Sequence, residues 1–153
     1  MAELDTSILR KCSESLKTLS TTADLYIEIL TTAITDINRS ILEKDNAFLN
    51  GKTIPSSVPR SEITPTPDAV MLNLVNLNSL KIQLLDFINS LAYIAMSAED
   101  MLTNLELKIK IELDIDDPVA RDTIIKYKKV FKNIKINLLF KSRHCALLSI
   151  PSP

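Results

Sequence analysis

At 153 residues, with 46% hydrophobic and 24% charged residues and a formal net charge of -1, the chain has apolar material enough for one core and is no candidate for wholesale disorder. A single glycine, Gly51, a single histidine, His144, and no tryptophan exclude a glycine-rich phosphate loop, a multi-histidine metal site and a fold built on many tight turns. The charge is unevenly spread: residues 1–68 balance to -3, residues 69–118 to -5 and residues 119–153 to +7.

The first periodic segment runs from near Leu4 to about Leu49. Leu9, Leu16, Ala23, Leu30 and Ile37 recur every seven residues, and Cys12, Leu19, Tyr26 and Ala33 follow the first four by three positions, which is a heptad seam. Ile27, Ile34 and Ile41 then take over the neighbouring stripe, as a helix of 3.6 residues per turn drifts against a repeat of seven. The threonines of "STTAD" and "TTAIT" are modest helix formers, so burial has to supply what propensity lacks.

Residues 51–67, "GKTIPSSVPRSEITPTP", hold four prolines and the glycine, and no long helix crosses them. This is a linker. Thr64 and Thr66 each precede a proline and fit proline-directed phosphorylation, although plain linker composition gives the same pattern.

Pro67 and Asp68 open the second segment, 68–115. Val70, Leu77, Leu84, Leu91, Ala98 and Leu105 form one heptad column, and Leu80, Phe87, Ile94 and Met101 form the next. Leu74, Leu85, Ile88, Ala92, Ala95 and Leu102 widen the stripe beyond a two-stranded seam, which places this helix inside a bundle. Ser97 and Asp100 fit a capped restart with a bend. From Leu107 to Ile115 apolar and charged residues alternate as in a half-buried strand, yet a helix also fits, and "IKINLLF" at 134–140 is an available strand mate. No turn signal occurs between Pro67 and Asp116, which ranks helix ahead of strand. In that helix Ile109 and Leu113 continue the old seam, while Leu107, Ile111 and Ile115 line a second face that touches another neighbour. The apolar seam expected to bind a partner is therefore Leu77, Leu80, Leu84, Phe87, Leu91 and Ile94, continued by Met101, Leu105, Leu107 and Ile111.

Asp117 is a good N-cap, Pro118 suits the first helical position and Asp122 favours the positive end of the dipole. Ala120, Ile124, Tyr127, Phe131, Ile134 and Leu138 then step by four and three, a third helix reaching about Cys145, with "SIPSP" as a frayed tail. Its basic patch comprises Lys126, Lys128, Lys129, Lys132, Lys135, Lys141 and Arg143. The patch is a solvated face, a set of ion-pair partners for the acidic stretch 99–117, or a surface for an acidic protein, nucleic acid or anionic membrane.

Catalytic readings lack parts. Cys145 beside His144 invites a thiol nucleophile, but neighbours on a helix point about 100 degrees apart and no third group orients the base. Glu112, Asp114, Asp116 and Asp117 cluster without the glycine and terminal glutamate of a calcium loop. No catalytic residue, metal, cofactor or small-molecule substrate is expected.

The fold class that results is all-α: a long antiparallel helical hairpin and coiled-coil-like bundle of about three helices, with units 1–50, 51–67, 68–115 and 116–153 forming one helical domain. Its expected role is a non-enzymatic scaffold subunit whose partners are other helical subunits, in a hetero- or homo-oligomer. Binding of nucleic acid or an anionic surface through the basic helix is the alternative. Two cysteines far apart in sequence, no apolar run of spanning length and no secretory pattern in "MAELDTSILRKC" suggest an intracellular location, cytoplasmic or nuclear.

Overall fold

The computed structural model describes residues 6–49, 67–112 and 117–151, with side chains over 6–41, 74–111 and 117–151. The linker with Thr64 and Thr66 lies outside these residues, as do Leu113, Asp114, Ile115 and Asp116. Three helices, α1 (Thr6–Leu49), α2 (Pro67–Leu107) and α3 (Pro118–Ala146), pack against one another as an all-α bundle, and no strand occurs among the described residues. At 1.5 Å per residue, α1 is about 66 Å long and α3 about 44 Å.

Side-chain pairs fix the directions. Lys128 meets Glu106, Lys135 meets Glu99 and Ser142 meets Asn89, so numbers rise on α3 as they fall on α2 and the two are antiparallel. Ser20 meets Asn137 and Asp24 meets Lys141, so α1 runs parallel to α3. The expected antiparallel pair of α1 and α2 follows, with α3 packed alongside it.

The threonines of α1 are accommodated rather than merely tolerated. Thr18, Thr21, Thr22, Thr31, Thr32 and Thr35 each donate to the carbonyl four residues back, at 2.7–3.1 Å, which satisfies the hydroxyl without breaking the helix. The apolar face of α1 buries Leu16, Ala23, Ile27, Leu30 and Ile34. On α2 the buried set is Leu74, Leu84, Ile88, Leu91, Ala92, Ala95 and Leu102, and on α3 it is Ile124, Tyr127, Phe131, Ile134, Leu138 and Cys145. Each large apolar side chain so buried contributes about 1.5–3 kcal/mol relative to exposure.

Over its described residues, 107–112, the stretch that alternates from Leu107 is not a strand. The α2 helix passes unbroken through Ser97–Asp100, where a bend was expected, and at Lys108–Glu112 it widens into a π-turn with i to i+5 bonding. Nor are two of its faces buried: Ile109 packs against the core, whereas Leu107 and Ile111 stay exposed.

Asp117 caps α3 as its sequence implies, with Oδ1 accepting from the Val119 N–H at 3.1 Å and the Ala120 N–H at 3.4 Å and Pro118 following in the first turn. At the other end the structure corrects the frayed tail. Leu147 closes the helix with ordinary right-handed dihedrals, the Leu148 N–H donates to the Cys145 carbonyl at 3.1 Å, and Leu148 and Ile150 pack against the core. Apolar side chains at both positions account for the docking.

Candidate protein-interaction faces

Three helices make three long faces, and contacts between the helices assign side chains to them. On α2, Lys81, Glu99 and Glu106 reach α3. At 100 degrees per residue the column Leu80, Phe87, Ile94 and Met101 therefore lies across the buried stripe, on the side of α1. On α1, Ser20 and Asp24 reach α3, which turns Leu19, Tyr26 and Ile29 toward α2. These two columns share the face opposite α3.

That α1/α2 face is apolar and free of charge along its middle. Leu19, Tyr26, Ile29, Leu80, Ile94 and Met101 are 37–71% exposed, and Phe87 is half-buried. Between Leu80 and Met101, the charged residues Lys81, Asp86, Glu99 and Asp100 all project elsewhere on the wheel. The seam expected from the sequence is thus divided. Leu84 and Leu91 belong to the chain's own core, and Leu77, Phe87 and Leu105 pack against it. Leu80, Ile94, Met101, Leu107 and Ile111 remain outside. The two columns stand about 60 degrees apart on the helix, three residues at 100 degrees each, so neighbours that cover the first leave the second at their edge.

The α1/α3 face is polar. A groove of about 410 Å³ there is lined by Lys17, Ser20, Asp24, Asn133, Asn137 and Lys141 among others. Ser20 Oγ donates to Asn137 Oδ1 at 2.8 Å and Lys141 Nζ lies 3.2 Å from Asp24 Oδ1, so these four groups answer one another across the groove.

The α2/α3 face carries most of the basic patch, which separates into two groups. Lys128 pairs with Glu106 at 3.0 Å and Lys135 with Glu99 at 3.1 Å, joining the acidic stretch of α2 to α3, and Lys141 pairs with Asp24 on the other side. Lys126, Lys129, Lys132 and Arg143 are exposed, Lys126 lying 5.5 Å from the Tyr127 ring centroid. Lys129 and Lys132 border an open groove of about 290 Å³ with Ile125, and Ile136, Leu139 and Phe140 stand exposed further along α3. In the sequence these outward apolar residues of α3 are interleaved with lysines, and no local signal sets them apart from the basic positions between them.

Cys145 and His144 do not form a pair. His144 is exposed, while Cys145 is fully buried, its Sγ 3.9 Å from the Lys81 carbonyl, and burial pushes its thiol up against a smaller lowering by the Lys81 charge. Among the described residues no cluster of His, Cys, Asp and Glu is arranged to hold a metal ion, and no helix is long and apolar enough to cross a membrane. The chain matches no protein-family model, no curated protein and no solved structure.

Proposed function

We propose that this chain is a non-enzymatic structural subunit that lends its helices to a multi-protein assembly through protein–protein contact. The observation that carries the reading is the uncharged α1/α2 face, where two heptad columns on neighbouring helices stand exposed side by side. A helix laid between Tyr26 and Ile94 would complete four-helix packing in the coiled-coil manner, and every 100 Å² of apolar surface it covered would contribute about 2.5 kcal/mol. The partners are helical subunits, whether other proteins or copies of this one. Two free cysteines, one half-buried and one buried, fit a reducing intracellular compartment, cytoplasmic or nuclear.

The test is recovery of the tagged chain from its native cell beside an Ile94→Glu, Met101→Glu variant, with a chemical cross-link to record which helices touch. Partners cross-linked to α1 or α2 and lost from the variant support the reading. An unchanged set of co-purifying proteins, or none, overturns it.

The exposure of Lys126, Lys129, Lys132 and Arg143 favours one second reading, in which α3 meets nucleic acid or an anionic membrane surface. Internal pairing of Lys128, Lys135 and Lys141 leaves it the weaker. It predicts retention on DNA or anionic vesicles that falls steeply with salt and is abolished by Lys129→Glu with Lys132→Glu.

A further inference from the structure

On the α2/α3 face the two helices carry the same spacing with opposite charge. Counting from Ile82, α2 places Asp86, Tyr93 and Asp100 four, eleven and eighteen residues on. Counting from Ile125, α3 places Lys129, Ile136 and Arg143 at the same intervals. All eight side chains are exposed, and none of the ion pairs among the described residues uses these two aspartates or these two bases.

We propose that this face pairs with the same face of a second copy of the chain, about a two-fold axis parallel to the bundle. Helix α2 of each copy then lies antiparallel against α3 of the other. In one register Arg143 stands opposite Asp86 of the second copy, and Lys129 opposite Asp100. The same register sets Ile136 against Tyr93 and Leu147 against Ile82. A two-fold axis in this direction joins residues of equal height, and the chain's own contacts fix those heights. Ser142 is beside Asn89 and Leu148 beside Lys81, close to the levels at which Arg143 reaches Asp86 and Leu147 reaches Ile82. The contact is isologous, so each favourable pair occurs twice and the assembly closes as a dimer.

Charge selects this occupant. An anionic membrane against the face would hold Asp86 and Asp100 beside like charge, and an uncharged helix would leave both signs without partners. A second copy supplies each sign where the other lies. The dimer makes no use of the α1/α2 face, so the two surfaces succeed or fail independently.

The test is sedimentation equilibrium of the full chain and of two charge-reversed variants, with helix content followed by circular dichroism. One variant carries Asp86→Lys and Asp100→Lys, the other Lys129→Asp and Arg143→Asp. The chain itself is expected to be a dimer, each variant alone a folded monomer with self-association weakened at least about tenfold, and their equimolar mixture a dimer again. Restoration on mixing follows because both contacts of the mixed pair regain opposite signs. A monomeric parent chain, a variant that still dimerises, a mixture that stays monomeric, or a monomer that binds anionic vesicles would each overturn the proposal.

Discussion

Lys81, in the first half of α2, donates a 2.7 Å hydrogen bond from Nζ to the Leu148 carbonyl, one residue past the residue that caps α3. A cation at a helix C-terminus meets the negative end of the dipole, and here its N–H also supplies a donor to a carbonyl just beyond the last turn. Lys81→Met keeps the stem and removes both effects. The expected loss is about 1–2 kcal/mol in urea unfolding, with faster proteolysis after Leu147 as the docked tail is released.

Burial raises the Cys145 thiol, which sets the sign of one pH effect. The folded chain holds this proton to higher pH than the unfolded chain does. Its contribution to stability is therefore complete below the ordinary thiol value of 9.0 and is lost as pH rises through the raised folded value. Thermal unfolding from neutral to alkaline pH is expected to show a decline that is shallower in Cys145→Ala. Under native conditions a thiol reagent should modify half-buried Cys12 before Cys145.

Two phenylalanines on α3 separate core from surface. Phe131 is 0% exposed and Phe140 is 68% exposed. Phe131→Ala should cost about 3–5 kcal/mol, and Phe140→Ala should stay within about 0.5 kcal/mol in the isolated chain. Denaturant titration of both distinguishes them directly.

Neighbouring heptad columns on α2 offer a sharper contrast. Leu84 is 6% exposed and Ile94 is 46% exposed. Leu84→Glu buries an unpaired carboxylate and should abolish the cooperative melt, whereas Ile94→Glu should preserve it. Equal damage from the two would mean that Ile94 belongs to the intramolecular core after all.

Most of the fold was legible because a few strong signals agreed. Heptad columns located α1 and α2, the Asp117–Pro118 pair set the start of α3, and the three-four spacing from Ile124 to Leu138 named its buried face. What the sequence could not decide was which of two adjacent columns each helix keeps for itself. Leu84 and Ile94 look alike in a repeat of seven, and only the direction of the neighbours tells them apart. The π-turn was hidden for a related reason: its alternation satisfies a strand template, and no local signal marks a change from i+4 to i+5 bonding. Docking of Leu148 and Ile150 depends on the end of α3 lying against α2, a long-range fact absent from the short tail itself.

The three tyrosines fall in three different settings. Tyr26 stands on the α1/α2 face, Tyr93 on the α2/α3 face, and Tyr127 in the core. With no tryptophan to mask them, each is a built-in optical reporter for one surface or for the interior. Ultraviolet difference spectra of single Tyr→Phe variants can follow occupancy of either exposed ring, while the interior ring serves as the unfolding signal, without any dye or tag.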